Sequence, residues 1–245
     1  MDTKIGPLPE IHPYNLSPIP PDTKTLIVGT APPPRFSLPR TLHAGPEKRW
    51  DADFFYGSGS NYLWVYLEAA AGERIFAEPG TSEAAVEDTE NLMRDFLQRR
   101  RIWMRDVLQT YRRKQGHECS SKDRHIDLGA PDTTFLDFSV VLEDGRNIEK
   151  IVFTSVHAAE WFFSKVLAKG SAPLAAQNYR QMFVAADMAR GKRTATEKYT
   201  RGFCAVEFDG RTINFYIAPS PSGSAWGPDK KSCIEIYRSI LFAED

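Results

Sequence analysis

The sequence predicts an α/β protein of three layers, with a central, mainly parallel sheet of about four strands between helices. Three observations predict it. Thr25-Leu26-Ile27-Val28-Gly29 is short, apolar and rich in β-branched residues, as a strand buried on both faces of a parallel sheet must be. Ile151-Val152-Phe153-Thr154 repeats the pattern much further along. Stretches with apolar residues at helical spacing lie between and after them, and strands alternating with helices build parallel sheets.

Residues 1–22 are rich in proline (Pro7, Pro9, Pro13, Pro18, Pro20 and Pro21) and should run extended along the surface. After the first strand, Thr30-Ala31-Pro32-Pro33-Pro34 forces a stiff loop. Residues 35–60 read as a long loop carrying Trp50, Phe54, Phe55 and Tyr56. Asn61 should head a helix that buries Leu63, Trp64, Leu67 and Ala71 and stops at Gly72. A second helix is expected from about Ser82 to Arg100, with Val86, Met93, Phe96 and Leu97 inward.

Ile102-Trp103-Met104 reads as a short strand, residues 114–134 as loop, and Phe135 to Leu142 as helix. A helix with Ala158, Trp161, Phe162, Val166 and Leu167 should follow the strand at 151–154. Asp209-Gly210 between Phe203–Phe208 and Thr212–Ala218 is a hairpin signal. A final amphipathic helix carries Ile234, Tyr237, Ile240 and Leu241. The length, 245 residues, suits one domain over 1–245 with an inserted region at 169–201.

Bulk chemistry narrows the function. A net charge of −1 leaves nucleic-acid binding to local basic clusters. These are Arg99, Arg100, Arg101 and Arg105, then Arg112, Arg113 and Lys114, then Arg190, Lys192 and Arg193. The three cysteines, Cys119, Cys204 and Cys233, are widely spaced and form no metal motif, so no metal or other cofactor is expected. Neither a signal-peptide pattern nor a membrane-length apolar run occurs, so the expectation is a cytoplasmic monomer with no membrane partner. A serine hydrolase elbow, a P-loop, a dinucleotide glycine fingerprint and a zinc-deaminase signature are all missing.

Three segments carry candidate chemistry. Gly29-Thr30-Ala31-Pro32 and Pro219-Ser220-Pro221-Ser222-Gly223 follow strands, where ligands of open α/β sheets bind. Phe54-Phe55-Tyr56-Gly57-Ser58-Gly59-Ser60-Asn61 places aromatic rings beside a glycine-rich turn and an amide that can read a base edge, hold a water or simply cap a helix.

In this order the segments resemble the uracil-DNA glycosylase superfamily, and especially its branch of hypoxanthine-DNA glycosylases and relatives of mismatch-specific uracil glycosylases. The first motif there is a strand ending in Gly-x-x-Pro, here Leu26-Ile27-Val28-Gly29-Thr30-Ala31-Pro32; the second leads into Asn-x-Phe-Trp, here Asn61-Tyr62-Leu63-Trp64; the last is Pro-Ser-x-Ser, here Pro219-Ser220-Pro221-Ser222. Ile102-Trp103-Met104-Arg105-Asp106-Val107 resembles the family's Trp-Asp-Val segment. The resemblance covers most of the chain outside 169–201. It departs at Ala31, where many members carry the Asn or Asp that positions water; at Ala218, where several carry His; and at Thr154, where hypoxanthine-type members carry Asn.

The resemblance implies excision of a deaminated base, uracil or hypoxanthine, from DNA. Asn61 is then the catalytic side chain, Tyr56 or Phe55 the stacking ring, and Gly29, Thr30, Ala31 and Thr154 the base-binding set. Ser220 and Ser222 would grip phosphate, and Asp51, Asp53 and Asp106 are alternative general bases. The other reading is a protein of this fold that binds nucleic acid or a nucleobase without cleaving it.

Overall fold

The computed structural model describes residues 8–38, 51–75, 84–167, 204–208, 210–223 and 229–243. It is a mixed α/β structure built on a five-stranded sheet. The strands β2 (Thr25–Gly29), β3 (Ile102–Asp106), β7 (Lys150–Phe153), β8 (Cys204–Phe208) and β9 (Arg211–Ile217) lie in the order β3-β2-β7-β9-β8. β2 is parallel to both β3 and β7, with Gly29 beside Asp106 and Val28 beside Phe153. β9 is parallel to β7, and β8 turns back antiparallel through Gly210 at φ +75°. β2 and β3 are buried at every residue, so layers cover both faces and their sequences can be apolar without alternation.

A second, smaller sheet was not foreseen. β1 (Glu10–Ile11), β5 (Ile126–Asp127) and β6 (Thr134–Phe135) each pair antiparallel with β4 (Leu108–Arg113). It corrects two expectations. Residues 114–134 contain β5 and the start of β6, and the described part of the proline-rich segment does not lie on the surface throughout. Glu10, His12, Asn15 and Ile19 are buried, because β1 docks on β4 and draws the following residues behind β3.

The helices follow their apolar spacing. α1 (Pro34–Ser37) is a single turn opened by proline, which corrects the stiff loop expected there: at the first helical position a proline gives up no hydrogen bond. α2 (Leu63–Ala71) buries Leu63, Trp64, Tyr66, Leu67 and Ala70, and Gly72 ends it at φ +67°. Asn61 does not head that helix: Tyr62 is the residue before its first turn. α3 (Ala84–Arg99) turns Met93, Phe96 and Leu97 inward; the side chain of Val86, also expected inward, lies outside the described residues. α4 (Phe138–Asp144) begins three residues later than expected, after β6 claims Phe135. α5 (Val156–Trp161) runs into a wider turn at Phe162–Val166, and α6 (Lys230–Leu241) packs Tyr237 on Tyr66 of α2 at 5.6 Å between ring centres. The expected insert at 169–201 and the cluster Arg190, Lys192 and Arg193 fall outside the described residues. Among the described residues no helix is long and apolar enough to cross a membrane.

Candidate functional site

The strand order places the site. From β2 the chain moves to β3 on one side; from β7 it moves to β8 and β9 on the other. The loops leaving β2 and β7 therefore diverge, and a crevice opens between them at the carboxyl ends of the strands. A cavity of about 650 Å³ lies there, large enough for a nucleobase and its sugar. Of the predicted site residues, Thr30, Ala31, Phe55, Tyr56, Asn61, Thr154, Ser220 and Ser222 all line it.

Gly29 lies beneath the cavity lining. A Cβ there would fall 2.0 Å from the Tyr56 hydroxyl and 2.4 Å from Asp106 Oδ1. Its missing side chain thus makes room for those two oxygens. Tyr56 itself stands at φ +55°, an uncommon conformation for a residue with a Cβ, at the end of a turn closed by Gly57 N–H on the Phe54 carbonyl (2.9 Å). Its hydroxyl is 3.1 Å from Thr154 Oγ1. Burial first, then the negative charge of Asp106, pushes its phenol well above the usual tyrosine range.

Phe55 is 1% exposed and packs against His12, Tyr14 and Phe54. Its ring belongs to the core, which corrects its place as an alternative stacking ring; the partly exposed Tyr56 ring, with Phe36 of α1, remains.

Asn61 Oδ1 accepts the Leu63 N–H at 2.9 Å. That oxygen is used locally, so the side-chain amide group is what Asn61 can offer the cavity. The last loop is laced to the same segment: Tyr62 N–H donates to the Pro221 carbonyl (2.8 Å), Gly223 N–H to Ser60 (3.1 Å), and the Tyr237 hydroxyl anchors the Pro219 carbonyl (3.0 Å). Ala218 is 1% exposed and packs in the core, so the missing histidine leaves no gap in the cavity wall.

The three carboxylates separate cleanly. Asp51 pairs with the Arg35 guanidinium and accepts the Gly59 N–H, and Asp53 accepts the Tyr14 hydroxyl. Both are occupied in holding loops. Asp106 is 5% exposed and lines the cavity; its Oδ2 is 2.9 Å from His12 Nε2, and its Oδ1 has no hydrogen-bond partner among the described residues. His12 escaped the sequence reading because it sits among prolines that signal a surface segment. The signal that points to it is the run of polar Glu10, His12 and Asn15 in that segment.

At the rim, Thr30 Oγ1 donates to Asp123 Oδ1 (2.9 Å), and His157 Nδ1 is 3.8 Å from Asp123 Oδ2. The Asp123 carboxylate raises the pKa of His157. No sequence pattern marked this pair, since it joins two loops distant in the chain.

Among the described residues, most of the basic side chains expected to form a phosphate track are tied up away from the cavity. Arg101 sits at the amino end of β3, at the other end of the sheet from the cavity, and Arg99 and Arg100 pair with Glu73. Arg105 is buried, and desolvation lowers its pKa to about 10. Arg112 pairs with Asp132, and Arg113 with the buried Glu10. Among the described residues, Lys122 and Arg124 are the exposed cations that line the cavity. No group of three or more His, Cys, Asp or Glu among them is placed to hold a metal.

No family model matches the chain, and no curated protein matches it. It is similar to the solution NMR structure of a protein from Methanosarcina acetivorans provisionally assigned as a uracil DNA glycosylase, at 19% identity over 91% of this chain and 93% of that one, with a TM-score of 0.46.

Proposed function

We propose that this protein is a DNA glycosylase of the uracil-DNA glycosylase superfamily type, hydrolysing the N-glycosidic bond of a deaminated base, uracil or hypoxanthine. One observation carries the reading: three motif-bearing loops, separated by most of the chain, meet around one cavity at the carboxyl ends of β2 and β7. Such chemistry needs an extruded base, support for the departing base anion and a water at the sugar carbon.

The roles follow from the groups on offer. The Tyr56 ring stacks on the base. The backbone near Thr30 and Ala31, with Thr154, reads its edge. Asn61, with Oδ1 engaged, donates from its amide to the departing base. Ser220 and Ser222 hydrogen-bond the flanking phosphates, and Lys122 and Arg124 attract the strand. The chemistry calls for no cofactor.

A second reading, binding without cleavage, is favoured by Ala31, which brings a methyl group to the cavity wall where water would be held. Single-turnover assays on uracil-, hypoxanthine- and undamaged oligonucleotides, with fluorescence anisotropy across a salt series, separate the two. Cleavage of one lesion base is the expected result. Salt-sensitive binding with no cleavage supports the second reading, and no binding at low salt removes both.

A further inference from the structure

We propose that Asp106 is the general base of this site and that His12 is the residue that positions it. The inference rests on the glycosylase reading and places the base on β3, a different strand from β2, whose loop carries Ala31.

The hydrogen bonds around Asp106 specify its chemistry. His12 Nδ1 accepts the backbone N–H groups of Tyr14 and Asn15, each at 3.1 Å. A ring nitrogen that accepts carries no proton, so the proton of neutral His12 is on Nε2 and is donated to Asp106 Oδ2 at 2.9 Å. Asn15 clamps the backbone from the other side: its Oδ1 accepts the Asp106 N–H (2.9 Å), and its Nδ2 donates to the carbonyls of Asp106 (2.8 Å) and Leu108 (3.1 Å). Every polar atom of Asp106 is therefore held except Oδ1, which is buried and unpartnered among the described residues.

An unsatisfied buried carboxylate oxygen is expensive and rare in a folded chain. Here Oδ1 converges with the Tyr56 hydroxyl over Gly29, and both residues line the cavity. Because the phenol shares that corner, water reaches Oδ1 when Tyr56 shifts onto the base it stacks against. Asp106 Oδ1 then takes a proton from the water, whose oxygen bonds to the sugar C1′. The C1′–N bond breaks, and its electron pair leaves with the base. The base anion takes up a proton, and Asp106 returns its own to solvent. His12 keeps Oδ2 occupied, so the basic lone pairs are those of Oδ1, in the corner that the Tyr56 hydroxyl closes.

The test is single-turnover cleavage of uracil- and hypoxanthine-containing oligonucleotides by wild type, Asp106→Asn, Asp106→Ala and His12→Phe. Thermal unfolding and anisotropy on an uncleavable 2′-fluoro oligonucleotide accompany it. Asp106→Asn should lose at least about a hundredfold in rate with affinity within about threefold. Added formate should restore part of the rate to Asp106→Ala and none to Asp106→Asn. His12→Phe keeps an aromatic ring against Phe55 and removes the donor; it should cleave roughly tenfold more slowly at unchanged affinity. An active wild type with an equally fast Asp106→Asn overturns the base role alone. Should that variant not fold, an undiminished rate in His12→Phe, or no formate rescue of Asp106→Ala, overturns it instead. A wild type that cleaves neither base overturns the glycosylase reading and this role together.

Discussion

The Tyr56 hydroxyl lies 3.1 Å from Thr154 Oγ1, above a glycine whose missing side chain leaves it room. Thr154 Oγ1 is in turn 3.5 Å from the Val28 carbonyl, so the order of donation runs from Tyr56 through Thr154 to the β2 backbone. This short chain joins the aromatic loop to the two strands whose loops diverge. It holds the ring at the point where the crevice opens.

Gly29→Ala tests that packing. The added methyl would meet the Tyr56 hydroxyl and Asp106 Oδ1 well inside contact distance, and the buried carboxylate cannot swing away without breaking its bond to His12. Tyr56 must leave the corner. Overpacking of this kind costs about 1–3 kcal/mol. Urea unfolding should show that loss, and a crystal structure of the variant should show the Tyr56 hydroxyl away from Thr154.

Asn61 tests the division between local loop structure and catalysis. Asn61→Asp keeps an acceptor for the Leu63 N–H and removes the amide donor. Its stability should stay close to wild type, while cleavage falls about a hundred- to a thousandfold. Asn61→Ala should lose the rate as well as about 0.5–1.5 kcal/mol of stability, for the hydrogen bond to Leu63. Equal rates for wild type and both variants, per folded molecule, would leave Asn61 with its hydrogen bond to Leu63 alone.

Arg113 and Glu10 form an ion pair whose side chains are each 2% exposed, and Arg113 also donates to the Pro32 carbonyl at 3.0 Å. The pair fastens the first loop to β1 and β4. Arg113→Met leaves a buried Glu10 uncompensated and should cost about 3–5 kcal/mol. The double variant with Glu10→Gln should recover part of that. Chemical denaturation of the two single variants and the double gives the coupling directly.

His157 carries a pH prediction. The Asp123 carboxylate raises its pKa above the ordinary 6.5, so the folded chain holds this proton more tightly than the unfolded chain does. The contribution to stability is fully present below about pH 6.5 and fades as the pH rises through the raised folded value. Asp123→Asn should move the NMR titration of His157 back down toward 6.5. A wild-type titration at or below that value would refute the pairing.

Much of the sheet was legible because its strands are buried on both faces and must be written in apolar residues; Thr25–Gly29 and Ile151–Phe153 advertise themselves in any context. The loops carrying Tyr56, Asn61 and Ser220 were legible because glycine and proline punctuate them. Two-residue strands such as Glu10–Ile11 are too short to leave a period, which is why the small sheet on β4 went unseen.

What the sequence by itself determined is the set of elements and the polar groups their loops bring: apolar strands, amphipathic helices and the residues at the strand ends. Only the tertiary structure decided which of those groups face one another. Phe55 and Tyr56 are adjacent in sequence, yet one ring is spent on the core and the other on the cavity. Asp51 and Asp106 are the same residue type, yet one is neutralised by Arg35 and the other keeps an unpartnered oxygen. His12 reaches Asp106 from 94 residues away. Propensity and periodicity act over a few residues, whereas hydrogen bonding, burial and charge pairing depend on distances that exist only once the sheet has brought remote segments together.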